Sequence, residues 1–327
     1  MPDLKKKILA AVAADLAAIE QALERNLTPH FDLVARVAEH LLFAGGKRLR
    51  PLLMLLSARV CGLQSSASVV DYAAIFEYLH AATLLHDDVV DGGRIRRGKP
   101  TAHYTWDAPT AVLTGDFLLA RCLSLAARTG NPQIIQIIAY ITEQMSQGEI
   151  EQLAHKSDPY LSEAIYMEVI RCKTAVLFQG TCRVGAILAN AADTHVQAMD
   201  DYGYHLGMAF QMADDLLDYV QDAATLGKLP GADLREGKLT LPVIHALSQA
   251  EAADRQWMID TIQSVDFSSE DFKRLLELMT RYNGIAYTRQ RAAVHIQSAK
   301  AAITVFDATV DRDILYDIVD YAWSRAS

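Results

Sequence analysis

Apolar residues recur at three- and four-residue steps along most of the chain, in runs separated by short polar breaks, which is the period of one buried helix face. The run from Ser68 to Asp91 shows it well, with Ile75, Tyr78, Leu79, Ala82 and Leu85 falling together. Ser68, with Asp71 three positions later, predicts a capping box at its start. GGRIRRGKPTAH, residues 92–103, then breaks the pattern. The period resumes over 108–128, 132–155, 160–190, 194–222, 239–262 and 268–322. Strand signals are almost absent: alternation is nowhere sustained, and no Asn-Gly or Asp-Gly pair marks a hairpin. Residues 223–238, AATLGKLPGADLREGK, form one long irregular stretch, and such loops are often functional. No unit repeats at a fixed period, but LLHDDVVD and QMADDLLD echo one another and suggest two related halves facing each other. The expectation is an all-α chain with no seam, one domain over residues 1–327.

Composition agrees with that reading. Apolar residues make up 51% of the chain and charged residues 22%, enough to bury a large core and too little charge for disorder. The net charge of −9 argues against nucleic acid as a partner, so any phosphate must be held by local cations or by metal. Cys61, Cys122, Cys172 and Cys182 lack metal or redox spacing, which points to a reduced, cytoplasmic protein. Asp3, Asp15 and Glu20 spoil a signal peptide at the N-terminus, and no uninterrupted apolar stretch of about 18 residues predicts a membrane span.

Chemistry concentrates in two acidic clusters. Asp87, Asp88 and Asp91 form the first; Asp214, Asp215 and Asp218 form the second. On a helix, Asp87 and Asp91 lie one turn apart on one face, as do Asp214 and Asp218. A lone DDxxD reads as a solvated helix face, but here the same spacing occurs twice inside apolar helices. Like charges so placed need a cation, and hard oxygen ligands with room for water and phosphate suit Mg²⁺ better than zinc. His86 beside Asp87 reads as a packing or hydrogen-bonding residue. Cations gather near these clusters and near glycines. GGKRLRP, residues 45–51, carries Lys47, Arg48 and Arg50 after two glycines that allow close backbone approach. Arg94, Arg96 and Arg97 follow the first cluster, Lys173 and Thr174 interrupt an apolar helix, and Lys228 and Lys238 bracket the loop after the second cluster.

Taken in order, GGKRLRP, HAATLLHDDVVD, RRGKPTAH, GDFLL, GEIEQL, KTAVLF, GMAFQMADDLLD and GKLPGADLREGKLTLP resemble the trans-isoprenyl diphosphate synthases of the long-chain polyprenyl type. The resemblance covers nearly the whole chain. It implies a single-domain bundle of antiparallel helices around a deep central cavity, assembled as a homodimer. It implies that Asp87 and Asp91, with Asp88 nearby, hold Mg²⁺ on one side of an allylic diphosphate, and Asp214, with Asp215 and Asp218, on the other. Arg96, Lys173, Thr174, Gln211, Lys228 and Lys238 would cradle that diphosphate, while Lys47, Arg50, His80 and Arg97 would bind isopentenyl diphosphate.

The implied reaction is metal-assisted ionisation of the allylic C–O bond, attack by the isopentenyl double bond, and loss of a proton to the departing diphosphate. No Ser-His-Asp or Cys-His arrangement is needed. Helical geometry places Thr83 nearly one turn below Asp87. The resemblance adds Ala81 and Ala82 as residues limiting product length; with alanine where short-chain synthases tend to carry an aromatic, it implies a product of about six to ten isoprene units grown on farnesyl diphosphate, with quinone side chains as the downstream use. A shorter-chain synthase, a class I terpene cyclase and a non-catalytic subunit of a heteromeric synthase are the competing readings. Against the cyclase stand the second DDLLD and GGKRLRP; against the silent subunit, the retention of every acidic and basic ligand.

Overall fold

The computed structural model describes residues 2–63, 67–220, 231–264 and 268–324. Alanine- and leucine-rich stretches fold as helices: α1 (Pro2–Ala11), α2 (Ala13–Asn26), α3 (Asp32–Leu42), α4 (Leu49–Val60), α5 (Ala67–Val90), α6 (Ala102–Thr105), α7 (Ala108–Arg128) and α8 (Pro132–Ala154). Then come α9 (Glu163–Ile170), a π-helical turn (Arg171–Ala175), α10 (Val176–Leu188) and α11 (Asp193–Val220). Beyond residue 230 lie α12 (Ala232–Arg235), α13 (Leu241–Gln249), α14 (Ala252–Gln263), α15 (Ser269–Arg281), α16 (Gly284–Ala302) and α17 (Val310–Ser324). Helix starts carry side-chain caps where the sequence supplies them. Asp107 accepts from the Thr110 amide at 2.6 Å with Pro109 following, and Asn131 accepts from that of Gln133 at 2.9 Å with Pro132 following.

Several boundaries differ from the periodicity. Helix α5 is already under way at Ala67, so Ser68 stands inside its first turn and does not precede it. The run 160–190 is interrupted by the π turn, 239–262 is two helices, and 268–322 is three. Part of the irregular stretch, Ala232–Arg235, is helical. There is also a small hairpin: Ile95–Arg96 pairs antiparallel with Lys99–Pro100 across Arg97 and Gly98, both at positive φ (51° and 75°). Asp91-Gly92 lies just before it, outside the turn, and Asn283-Gly284 joins two helices, with Asn283 at φ 60°.

The main core packs α4, α5, α7, α10 and the first half of α11 around Leu53, Phe76, Leu118, Phe178 and Tyr202. A second cluster lies between α9, α13, α15 and the other half of α11, around Met212, Leu241 and Met279. Helix α11 therefore serves both. Among the described residues one helix, α7, is long and apolar enough to cross a membrane by length and composition. It carries Asp116 and Arg121, packs along α5, and donates from Arg121 to the Asn26 carbonyl of α2 at 2.7 Å.

Candidate active site

A cavity of about 1220 Å³ opens between α5, α8, the π turn and α11. Helix α5 delivers His80, Ala82, Thr83 and Asp87 to its wall, and the Asp91 amide closes the last turn of that helix by donating to the Asp87 carbonyl at 2.8 Å. Helix α11 delivers Phe210, Gln211, Asp214 and Asp215. The π turn adds a residue to the helical rod and turns Lys173 and Thr174 into the cavity. Glycines let its neighbours close on it. A Cβ on Gly148 of α8 would stand 2.5 Å from the Cys172 Cβ, and one on Gly207 of α11 would stand 2.6 Å from the Ala175 Cα. Thr174 Oγ1 then donates to Gln211 Oε1 at 2.7 Å, and Gln211 Nε2 donates to Asp215 Oδ1 at 2.8 Å.

The aspartates separate into two kinds. Asp87, Asp91, Asp214 and Asp215 line the cavity; Asp88 and Asp218 do not. Asp88 is buried and takes the Arg96 Nε at 2.7 Å, while Asp218 is buried and accepts from the Asp233 amide at 3.0 Å. Asp215 reaches the wall with its oxygens occupied, one by Gln211 and the other by the Tyr166 hydroxyl at 2.6 Å. Burial pushes its carboxyl up to about 7, Asp233 adding to the effect and the Tyr166 and Gln211 bonds opposing it. Burial likewise pushes Asp87 up to about 6, with Lys173 opposing and Glu149 and Asp91 adding. Asp91 binds Lys238 at 2.7 Å through Oδ2, while its Oδ1 is buried without a hydrogen-bond partner. Among the described residues no three acidic, His or Cys side chains converge on one point as a closed metal cage. The donor set is an open array of oxygens.

The cations also divide. Lys238 is held protonated by Asp91 and Glu236, which overcome its burial. Lys173 bonds to Glu149 and Gln152 of α8, both cavity residues that the motif GEIEQL contained without assigning them a role. On the other side, the Arg50 guanidinium lies 4.8 Å over the Phe178 ring, lowered to about 10 by burial but still charged, with its Nε unpartnered. Arg97 donates to the Gly45 carbonyl, and Lys47 sits 5.2 Å over the Tyr321 ring. His80 is neutral, held well below its usual value by burial and then by Arg50, Arg97, Arg96 and Arg48. Arg94 stacks on Tyr104, and Arg48 is consumed internally, so neither faces the cavity as a free cation. Ala82 and Thr83 line the cavity, Ala81 does not, and Lys228 lies outside the described residues. His86 packs against α7, its Nε2 3.1 Å from the Val112 carbonyl.

Acidic residues on two helices, cations and apolar side chains around one cavity define an all-helical enzyme of the isoprenoid synthase fold. A polyprenyl synthetase family model matches residues 31–279, and the chain belongs to that family of prenyltransferases. It is 37% identical over 323 residues to an all-trans-nonaprenyl-diphosphate synthase (geranyl-diphosphate specific) of Rhodobacter capsulatus, covering 99% of this chain and 98% of that one. It is 36% identical to the octaprenyl diphosphate synthase of Escherichia coli strain K12, over 98% of both chains. A polyprenyl synthase from Caulobacter crescentus CB15, solved with calcium and isoprenyl diphosphate, superposes with a TM-score of 0.92 at 38% identity, over 98% of both chains.

Proposed function

We propose that the protein is a long-chain trans-polyprenyl diphosphate synthase that adds isopentenyl diphosphate to an allylic primer, farnesyl diphosphate being the expected one. One observation carries this reading: the cavity lined by Asp87, Asp91 and Asp214 is also lined by Ala82, Thr83, Leu119, Met145, Phe178 and Phe210, so acidic and apolar walls belong to one space. The relatives that make octaprenyl and nonaprenyl chains support a product of about six to ten isoprene units.

The acidic array fits divalent metal, and Mg²⁺ is the expected ion. Asp91 Oδ1 is a buried oxygen with no other partner, and Asp87 is raised first by burial and then by Glu149 and Asp91, a cost that a cation would relieve. Asp87, Asp91 and Asp214 would hold it. Bound there, Mg²⁺ would neutralise charge on the departing diphosphate. Lys173, Lys238, Arg96 and Gln211 orient the allylic diphosphate, while Lys47, Arg50, His80 and Arg97 hold the isopentenyl diphosphate with its double bond against the allylic carbon. The apolar walls keep water from the carbocation, and the released diphosphate takes the proton.

The organisation we propose around this site is one domain in a homodimer in the cytoplasm. Support for the single domain is α11, shared by both core clusters. For the dimer it is the exposed apolar side chains Leu113 and Leu123 on α7 and Ile135 and Tyr140 on α8. For the reducing compartment it is the four free thiols. The test is incubation of the purified chain alone with isopentenyl diphosphate, farnesyl diphosphate and Mg²⁺, followed by product sizing and light scattering. A ladder ending in a long polyprenyl alcohol after dephosphorylation, abolished by EDTA, from a particle of twice the 36.0 kDa chain mass, is expected. Products no longer than twenty carbons would replace the long-chain reading with the short-chain one, and no product at all would favour a silent subunit.

A further inference from the structure

Among the residues lining the cavity with Lys47, Arg50, His80 and Arg97 is a buried carboxylate, Glu77, which the sequence motifs leave unassigned. It lies one turn before His80 on α5 and is 5% exposed. Its Oε1 accepts from Arg48 Nη1 at 2.8 Å. Arg48 is 4% exposed and is bracketed further: its Nε donates to Glu20 Oε1 of α2 at 2.7 Å, and its Nη2 to the Leu42 carbonyl at 2.5 Å. One guanidinium therefore ties α2, the end of α3 and α5 to the residue that starts α4. The backbone of Arg48 is left-handed, at φ 47° and ψ 35°, uncommon for a residue with a side chain. That turn sets the directions in which its neighbours Lys47 and Arg50 leave the chain. Gly46 fits there because a Cβ would stand 3.2 Å from Arg48 Nη1 and 3.3 Å from Arg97 Nη1, the narrow gap between the two guanidinium groups.

We propose that Glu77, acting through Arg48, is a positioning residue for the metal-poor diphosphate site: it fixes the left-handed turn that aims Lys47 and Arg50. This rests on the assignment of Lys47, Arg50, His80 and Arg97 to isopentenyl diphosphate. The proposal has a sign that separates it from simple electrostatics. If Glu77 were only a nearby negative charge, removing it would leave the pocket more positive and tighten diphosphate binding. If Glu77 holds the turn, neutralising it loosens the donors and weakens binding, because the geometry of several charge-assisted hydrogen bonds is lost together.

Three variants test it: Glu77→Gln, which keeps volume and removes charge; Arg48→Gly, which accepts the left-handed backbone and removes the bracket; and both together. Each single variant is expected to raise the KM for isopentenyl diphosphate about tenfold, the scale of one lost charge-assisted bond, with a far smaller change in the KM for the allylic primer. The double variant should be no worse than the poorer single one, since both break the same linkage. Binding of inorganic diphosphate to the metal-free protein, measured calorimetrically, should weaken in parallel. If Glu77→Gln or Arg48→Gly does not fold, Arg48→Lys serves, because one ammonium cannot reach Glu20, Glu77 and the Leu42 carbonyl at once. A folded variant with an unchanged or lowered KM for isopentenyl diphosphate, or with equal rises for both substrates, overturns the proposal. A parent chain that condenses nothing would instead sink the functional reading, and the calorimetric comparison would still decide whether Glu77 organises a diphosphate site.

Discussion

Because Ala82 and the aspartates line one cavity, product length is the most searching measurement. Ala82 is 2% exposed, lines the cavity, and stands five positions before Asp87 on α5, so it lies about 7.5 Å down the helix axis at 1.5 Å per residue. Each isoprene unit adds four chain bonds, roughly 5 Å when extended, on carbon–carbon lengths of about 1.5 Å. The tail of a bound primer therefore passes Ala82 within its first few units. Ala82→Tyr would set an aromatic body across that path while touching no carboxylate or cation. We expect the main product to fall to about fifteen or twenty carbons, with isopentenyl diphosphate still consumed at the first step. Should the ring fail to enter the cavity and press into the packed α5–α7 face, overpacking would cost about 1–3 kcal/mol, so a melt belongs beside each assay. Reverse-phase separation of dephosphorylated products reads the outcome. A folded variant that makes the same long product as the parent would refute the placement of Ala82 on the elongation path.

Arg97→Ala should raise the KM for isopentenyl diphosphate about tenfold or more, since a charge-assisted contact is worth about 1.5–3 kcal/mol, whereas Lys173→Ala should act on the allylic primer; equal effects of either variant on both substrates would dissolve the partition. Away from the cavity, His205 and His295 face each other Nδ1 to Nδ1 at 2.9 Å between α11 and α16, which requires one of the two nitrogens to accept. Burial, then His205 and Arg291, lower His295 to about 4, so the unfolded chain takes up this proton first: the stabilisation is complete above about 6.5 and is lost as pH falls toward 4. Melting between about pH 7.5 and 5 should therefore fall more steeply for the parent than for His295→Gln, and parallel curves would show that the pair does not titrate this way.

Much of the fold was legible because helical period survives substitution of one apolar residue for another. What escaped depends on geometry that no short window holds. Nothing in RCKTA marks the π turn; it exists because Gly148 and Gly207 let α8 and α11 press on Cys172 and Ala175 from both sides. The helical period over 268–322 passes through the break between α15 and α16 unmarked, although Asn283-Gly284 stands there, and a Cβ on Gly284 would stand 2.0 Å from the Pro242 carbonyl oxygen. Within the site, the spacing of Asp87 and Asp91 placed both on one face, as found. The same period puts Asp88 about 100° around the helix from Asp87, which is where Arg96 meets it. Arg48 looked equal to Lys47 and Arg50 in the motif. Only the fold brings Glu20 and Glu77 from two other helices to consume it, and a pairing across 28 or 29 residues leaves no local signature.

The charges at the mouth give a physical reason for treating the two diphosphates differently. On the side proposed for the allylic diphosphate, the cations among the described residues each have an acidic partner from another part of the chain: Arg96 with Asp88, Lys173 with Glu149, and Lys238 with Asp91 across 147 residues. With Asp87 and Asp214 in the same wall, that half carries too much negative charge to attract a diphosphate unaided. Asp87, Asp91 and Asp214 would hold a divalent cation there, which would supply the positive charge this half lacks for a diphosphate. The side proposed for isopentenyl diphosphate shows the opposite balance: Arg50, Arg97 and a neutral His80 line it, and its buried carboxylate Glu77 is bonded to Arg48. On the proposed assignment, a diphosphate bound there would gain direct, charge-assisted hydrogen bonds and no metal to weaken its C–O bond, so the nucleophile would keep its diphosphate while the electrophile loses one. One chain with a net charge of −9 thus handles two similar anions by opposite means, because charge is apportioned between walls of one cavity and not over the surface as a whole.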